Sequence, residues 1–277
     1  MTDHTININI NLDALRGELQ RSLQQTIYLV SAGLQSKDKL DIDRLQLPTN
    51  SVTMIFDGGL KWDAQKATEQ YEKWTLSNGF RDIIEHFNTF FESAHKVLAF
   101  WELAAKQKGG VKITGSHWNQ IIVSGTKSFH RFGLPDKFTH VQDKHSIQID
   151  TKLREQILSS NAARNCLVHR NGVVTEQDIG AAKGLEVRWT NLDLIVQNED
   201  GEKDLVLGQI VEKDSVIAIR SREALKTFGI GEQVTFSARE FANIAWTLFL
   251  FANDLVKKMS GFGLRSDLVK APESSST

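Results

Sequence analysis

A continuous apolar stripe with a helical repeat runs through residues 80–101 and constrains the fold more than any other feature of the chain. Its members recur at helical spacing: Phe80, Ile83, Ile84, Phe87, Phe90, Phe91, Ala94, Val97, Leu98 and Trp101. Such spacing places one face of a helix against a core. We therefore predict a long helix over about 61–108, which Asn78-Gly79 either kinks or divides and Gly109-Gly110 ends.

The first sixty residues change their hydrophobic period. Apolar residues alternate with asparagine near the start of residues 1–12, and this two-residue repeat predicts an extended strand or arm. From Asp13, the predicted N-cap, apolar residues recur at helical spacing and predict an amphipathic helix that ends near Gly33. Residues 35–60 favour irregular or weakly extended structure, so we separate residues 1–60 from the helical core.

Short β-like runs replace the helical pattern between about residues 173 and 236. The runs are "LEVRW", "LDLIV", "DLVLGQIV" and "SVIAI", and "NEDG" at 198–201 has the composition of a hairpin turn. We therefore predict a helical core over residues 61–175 and a β-like insertion over residues 176–236.

Two further helices flank this predicted insertion. One is expected over about residues 150–169. After the insertion, Ser237 and Glu240 form an S-x-x-E capping box that begins a final core helix over residues 237–262. The polar tail, residues 263–277, is expected to be disordered. The predicted fold class is mainly α, with a small β-rich insertion before the last long helix.

The composition excludes several classes of protein. Lysine plus arginine (33) nearly balance aspartate plus glutamate (34), so no global basic field marks nucleic acid or an anionic membrane as a partner. Cys166 is the only cysteine, which excludes an intrachain disulfide and fits a reducing cytosol. The N-terminus lacks a signal-peptide pattern, and the apolar run 241–255 is shorter than the ~20 residues of a membrane span. We expect a cytoplasmic protein that does not associate with membranes.

The stretch "ARNCLVHRNG", residues 163–172, places three polar side chains near the end of a predicted helix. Arg164 falls in the apolar stripe of that helix, where a guanidinium needs an acidic partner, a route to solvent or an anion. Asn165 and His169 lie four residues apart, which brings their side chains onto one face. The pattern predicts a cationic group beside a titratable imidazole, followed by an Asn171-Gly172 turn.

These residue types suit the cleavage of an RNA phosphodiester by its own 2′-hydroxyl. Histidine titrates near neutrality and can move the proton. A guanidinium can neutralise the charge that builds on the phosphate oxygens, and an asparagine can orient the imidazole or the phosphate. This chemistry needs no metal.

The same arginine-to-histidine spacing occurs a second time, in "RDIIEH", with Arg81 and His86. This match lies inside the long amphipathic helix, whose apolar face already explains the segment, and Glu85 can offset the arginine charge. Spacing alone is therefore a weak signal, and we interpret the second match as a decoy.

The wider string "RNCLVHRNGVV" resembles the signature of the HEPN superfamily, the higher eukaryotes and prokaryotes nucleotide-binding domain. In that family an arginine is usually followed by a polar residue, and four to six residues separate the arginine from a histidine. The amphipathic helix before the motif and the apolar helix after it are similar to the family's helical bundle, over about residues 61–175 and 237–260. The resemblance implies a HEPN-like helical bundle with the β-rich insertion added to it.

Many members of this family are metal-independent endoribonucleases that act as dimers, with two motifs meeting at the subunit interface. By this resemblance, Arg164 would bind or stabilise the scissile phosphate, Asn165 would be the polar position, and His169 would be the acid-base residue. Arg170 is a further candidate for RNA contact. The resemblance implies RNA, such as tRNA or mRNA, as substrate, a homodimer, no cofactor and no metal. It also implies a toxin or phage-defence role beside a nucleotidyltransferase-like antitoxin or another defence protein.

Other interpretations stay open from the sequence. Arg164 and His169 can form a structural polar cluster in which a carboxylate pairs with the arginine. The chain would then be a non-catalytic HEPN-like module that binds a nucleotide, an RNA or a protein. Cys166 fits a small buried residue better than a nucleophile, and His140 and His145 are too loosely spaced to predict a zinc pair. No phosphate-loop, dinucleotide-binding, nucleophile-elbow or zinc-peptidase motif occurs.

Overall fold

In a computed structural model, helices make up most of the residues that the structure describes, and a small sheet precedes the last helix. The described residues are 10–39, 62–106, 127–179, 183–198, 201–205, 208, 210–211 and 214–265. The elements in chain order are α1 (Leu12–Ser36), α2 (Ala64–Lys106), α3 (Leu134–His145), α4 (Thr151–His169), β1 (Leu185–Asn198), β2 (Gly201–Asp204), β3 (Val216–Phe228) and α5 (Ala238–Arg265). Residues 37–39 form a 3₁₀ turn and residues 127–131 are helical. The mainly helical prediction with a small sheet is confirmed.

The predicted long helix is α2, and it is continuous through Gly79. A Cβ at Gly79 would lie 2.3 Å from Cγ2 of Val30, so this glycine allows α1 and α2 to approach closely and does not divide the helix. All of the predicted stripe is buried except half-buried Val97. The predicted stop at Gly109-Gly110 lies outside the described residues.

The apolar stripe of α2 meets α3 and α5 through aromatic contacts. The ring centroid of Phe91 lies 5.0 Å from that of Phe138 in α3, and the ring of Phe87 lies edge-on to Phe251 of α5 at 5.3 Å. Such pairs contribute about 0.5–1.5 kcal/mol each beyond the area that they bury. The centre of the core therefore lies between α2, α3 and α5.

The start of α1 differs from the prediction. Asn11, not Asp13, is the N-cap, because its side-chain oxygen accepts a hydrogen bond from the backbone N–H of Ala14 at 2.9 Å. Asp13 lies in the first turn, where a carboxylate favours the helix dipole. The helix also continues past Gly33 to Ser36. The predicted extended arm falls mostly on residues 1–9, which lie outside the described residues, as do residues 40–61.

The sheet has the strand order β2-β1-β3, with both pairings antiparallel. β1 is one continuous strand of 14 residues where the sequence predicted two short runs, because β3 pairs with it along almost its whole length. Asn198 pairs with Gly201, which confirms the predicted hairpin. Of the predicted β-like run 204–211, Asp204 belongs to β2, but the later described residues, Leu205, Gly208, Ile210 and Val211, lie outside any strand.

One face of β1 packs against the helical core, so the sheet contacts the helices directly. Val187 and Trp189 of β1 are buried within the core. The backbone N–H of Arg188 donates to Oγ of Ser159 in α4 at 2.9 Å, and that of Thr190 donates to Oγ1 of Thr247 in α5 at 2.9 Å. β1 thus joins α5 to α4, the helix that carries the Arg164–His169 motif.

The capping box that begins α5 is confirmed. The backbone N–H of Glu240 donates to Oγ of Ser237 at 3.2 Å, and the N–H of Ser237 donates to the Glu240 carboxylate at 2.7 Å. α5 extends to Arg265, past the predicted end at residue 262. Within the described ranges, no helix has both the length and the apolar character needed to cross a membrane.

Candidate functional site

The motif lies on the last turns of α4, which begins and ends where the sequence predicts. The N-cap is Asp150, whose carboxylate accepts from the N–H of Leu153 at 2.9 Å. After His169 the chain turns through Asn171 and Gly172, which have φ angles of 52° and 77° in the left-handed region that asparagine and glycine tolerate best. The turn therefore ends the helix directly after the candidate histidine.

Arg164 links α4 to α2 through an ion pair with Glu85. A second guanidinium nitrogen of Arg164 donates to Oδ1 of Asn165 at 3.1 Å. The Arg164 side chain is 24% exposed and that of Glu85 is 50% exposed, so the pair is open to solvent on one side. Glu85 thus neutralises Arg164 and not Arg81, whose guanidinium donates to Asn78 at 3.5 Å.

His169 presents an exposed imidazole at the end of α4. Within the part of the chain that the structure describes, this side chain has no hydrogen bond and no ion pair. The predicted contact between Asn165 and His169 is therefore replaced by the hydrogen bond from Arg164 to Asn165. The asparagine orients the guanidinium and leaves the imidazole free for an external partner.

Arg170, the predicted RNA contact, is held by a carboxylate of the following turn. Its Nε donates to Oδ2 of Asp178 at 2.8 Å, and a second guanidinium nitrogen pairs with Oδ1. The Asp178 side chain is only 2% exposed and also accepts from the N–H of Thr175 at 2.9 Å. This clamp fixes the backbone that follows His169.

Hydrogen bonding controls the charge of Asp178. Burial alone would raise its pKa, but the hydrogen bonds from Thr175 and Arg170 outweigh burial and lower the pKa below the ordinary value of 3.8. Asp178 is therefore ionised at neutral pH. The guanidinium of Arg170 has a permanent internal partner, which an RNA phosphate would have to share.

Cys166 is a free, fully buried cysteine on the inner face of α4. Burial raises the pKa of its thiol, and Asp178 adds to that effect. A buried thiol with a raised pKa is a poor nucleophile. The prediction that Cys166 is a small buried residue is confirmed.

A cleft of about 380 Å³ lies between α2, β3 and α5, away from the motif. Its lining includes Lys73, Lys226 and Glu240 but neither Arg164 nor His169. This cleft is therefore separate from the motif, whose His169 side chain is exposed.

Sequence reasoning missed a second cluster, formed by His95 of α2 with His140 and His145 of α3. One ligand nitrogen from each side chain lies within 4.8 Å of the other two. The signal was the position of His95, four residues after Phe91 and three before Leu98, which places its imidazole in the apolar stripe. These three residues could hold a metal ion.

Comparison with protein-family models, with curated proteins and with solved structures finds no match to this chain.

Proposed function

We propose that this chain is a metal-independent endoribonuclease of HEPN type that cleaves RNA by attack of the ribose 2′-hydroxyl. The observation that carries the proposal is the exposed, unpartnered imidazole of His169 at the end of a helix that also presents Arg164 and Asn165. An acid-base residue has to reach the proton that it moves, and the exposure of His169 supports this role.

In the proposed reaction the imidazole of His169 accepts the proton of the 2′-hydroxyl. The 2′-oxygen then bonds to phosphorus as the bond from phosphorus to the 5′-oxygen breaks. The departing 5′-oxygen takes a proton from the protonated imidazole of a second copy. The products are a 2′,3′-cyclic phosphate and a 5′-hydroxyl, with no metal and no cofactor.

Arg164 would stabilise the negative charge on the phosphate oxygens. Its present partner, Glu85, is half-exposed, so the Glu85 side chain can rotate toward the solvent when a phosphate replaces it beside Arg164. The hydrogen bond to Asn165 keeps the guanidinium oriented during this exchange. Arg170 would contact RNA only with the edge that Asp178 leaves free.

The exposure of His169 and the partial exposure of Arg164 support a composite site formed by two copies of the chain. A two-fold dimer would bring both motifs together and enclose the phosphate between them. By analogy with the family that the motif resembles, the enzyme would act in the cytoplasm as a toxin or phage-defence effector restrained by a nucleotidyltransferase-like antitoxin. Its RNA target would be tRNA or mRNA.

A second function is favoured by the ion pair between Arg164 and Glu85. The pair joins α4 to α2, which is the structural contact expected if the motif only holds the helices together. The chain would then be a non-catalytic module that binds a nucleotide, an RNA or a protein. If the motif is catalytic, Arg164→Ala should lower the rate of RNA cleavage. If the motif is structural, the same substitution should lower the melting temperature.

The test is to incubate the wild type and His169→Ala with total RNA and with isolated tRNA in EDTA, and to map the fragment ends. We expect 2′,3′-cyclic phosphates from the wild type only. Because His169 is exposed, the variant should keep the melting temperature and oligomeric state of the wild type. Cleavage of equal rate by both proteins would overturn the assignment, and no cleavage by either would favour the binding module.

A further inference from the structure

Three imidazoles meet where α2 packs against α3, well apart from the motif. The ring centroid of His95 lies 5.1 Å from that of His140 and 5.5 Å from that of His145. Because one ring nitrogen of each lies within 4.8 Å of the other two, all three can face a common point. His95 and Glu85 are ten residues apart on α2, or about 15 Å along the helix axis, so the two sites are separate.

The hydrogen bonding of this cluster is incomplete. His95 is fully buried, and neither of its ring nitrogens has a hydrogen-bond partner within the described residues. Nε2 of His140 is likewise buried without one. Buried polar atoms are paired in most folded proteins, so a buried imidazole with two unpaired nitrogens calls for a missing partner.

We propose that His95, His140 and His145 together bind one divalent transition metal ion, and that Zn²⁺ fits the site best. Three imidazoles with an open fourth position form a common zinc coordination set. Zinc–nitrogen bonds of about 2.0–2.1 Å place tetrahedral ligand nitrogens about 3.3 Å apart. The ring nitrogens already lie within 4.8 Å of one another, so side-chain rotations that shorten each separation by up to about 1.5 Å would bring them to the spacing of zinc ligands.

The surroundings of the cluster resemble the outer shell of a metal site. Oε2 of Glu102 lies 3.6 Å from Nδ1 of His145, close enough for a small side-chain rotation to form the carboxylate–histidine hydrogen bond that orients a ligating imidazole. The ring of Phe129 stacks on His95 with centroids 3.8 Å apart and planes 6° apart, and so fixes the orientation of that ring.

The charge state of the cluster also suits a metal ligand. His95 is fully buried, and burial disfavours the charged form of an imidazole, so its ring suits a ligand that offers a lone pair. Two lysines lie nearby, but Glu92 accepts from Lys137 at 2.7 Å and Glu102 pairs with Lys144 at 3.8 Å. These carboxylates offset the positive charge that would repel a cation.

A metal ion at this place would tie α3 to the long helix α2. The ligands come from two helices, so binding adds a cross-link that the unfolded chain does not have. Such a cross-link would stabilise the fold, and this effect does not depend on whether the chain cleaves RNA.

The test uses the full chain, stripped with EDTA, dialysed and titrated with Co²⁺ and then with Zn²⁺. Tetrahedral Co²⁺ absorbs visible light strongly, so it reports the geometry directly. The variants are His140→Gln, which removes a half-buried ligand at similar size, and His130→Gln, a matched control at an exposed histidine. Circular dichroism checks that each protein is folded.

We expect the wild type and His130→Gln to bind one equivalent of Co²⁺ with the tetrahedral spectrum and to release it to Zn²⁺. His140→Gln should bind more than about 100-fold more weakly, since even an outer-shell change costs about 10–100-fold. At a hundredfold excess over Kd, Zn²⁺ should raise Tm by roughly 5–10 °C in the first two proteins only.

Two results would overturn the proposal: no metal binding by the stripped wild type, or equal binding by the wild type and His140→Gln. If His140→Gln does not fold, Glu102→Gln replaces it, because that change keeps all three ligands and should weaken binding by about 10–100-fold. Unchanged affinity in Glu102→Gln would then count against the site.

Discussion

Two groups of polar side chains, both linked to the long helix α2, differ in burial. In the first, Arg164 and Asn165 of α4 are half-buried beside Glu85 of α2, and His169 is exposed at the end of α4. Ten residues after Glu85 on α2, His95 is fully buried among aromatic rings and carries unpaired nitrogens. The exposed histidine can exchange protons with a substrate in solution, whereas the buried histidine can bind only a partner that enters the core.

This difference shows that the role of a histidine cannot be assigned from its residue type alone, because the role also depends on how deeply the side chain is buried. Both regions contain histidine with charged neighbours, and the sequence motif points only to the first. We therefore expect substitutions near His169 to lower the rate of RNA cleavage with little effect on stability. We expect substitutions near His95 to lower the free energy of unfolding.

The largest expected effect is on RNA cleavage by Arg164→Ala. Removing a charged group that stabilises the transition state should lower the single-turnover cleavage rate by roughly 100–1000-fold. The half-exposed pair with Glu85 should contribute less than about 1 kcal/mol to stability, so Tm should change little. A Tm drop of more than about 10 °C, without any cleavage by the wild type, would identify the structural role instead.

The next effect is on the stability of the metal-free protein when His95 is replaced by alanine. Truncating a fully buried ring that stacks on Phe129 leaves a cavity and should cost about 2–4 kcal/mol. The measurement is urea unfolding of the stripped protein, with His169→Ala as the exposed counterpart, which should change the free energy of unfolding by less than about 0.5 kcal/mol. Equal effects of the two substitutions would contradict the contrast in burial.

A smaller loss of stability is expected for Asp178→Asn. This change removes the charge that holds Arg170 and should cost about 2–3 kcal/mol at pH 7. The pKa of Asp178 is lowered in the folded state, so its contribution is present above the ordinary value of 3.8 and is lost as the pH falls through the folded-state pKa. The stability difference between wild type and variant, measured by urea unfolding, should shrink below about pH 4. A difference that is constant down to pH 3 would be inconsistent with an ionised Asp178.

The smallest effect is expected for Glu85→Gln. The substitution frees the guanidinium of Arg164 at a half-exposed position, so stability should fall by less than about 1 kcal/mol. RNA affinity should rise severalfold, because the carboxylate no longer competes with phosphate. Filter binding of a labelled tRNA to His169→Ala, with and without the second change, measures this, and weaker binding by the double variant would refute it.

The sequence predicted those parts of the fold that are determined by neighbouring residues. The stripe of α2, the Ser237–Glu240 capping box and the Asn171-Gly172 turn depend on spacing and on local backbone preference, and all three were found. The boundaries of β1 were less accurate, because the length of a strand depends on its pairing with a distant segment.

The partners of the candidate site residues could not be predicted, because they come from elsewhere in the chain. Glu85 is 79 positions before Arg164, and the expectation that it would offset Arg81 rested on helical spacing alone. The three-histidine cluster likewise joins α2 to α3, and pair spacing within α3 gave no sign of the third imidazole. Only the position of His95 in an apolar stripe pointed to a buried histidine.

The most direct measurement is the cleavage rate of one labelled RNA in EDTA by the wild type, His169→Ala and His86→Ala. His86 is a control for spacing, since it ends the second arginine-to-histidine match on α2, and no hydrogen bond or ion pair among the described residues joins it to Arg164, Asn165 or His169. We predict that the wild type and His86→Ala cleave at equal rates and leave 2′,3′-cyclic phosphates, and that His169→Ala is at least about 100-fold slower. Cleavage by His169→Ala at the wild-type rate would contradict the assignment of His169 as the acid-base residue.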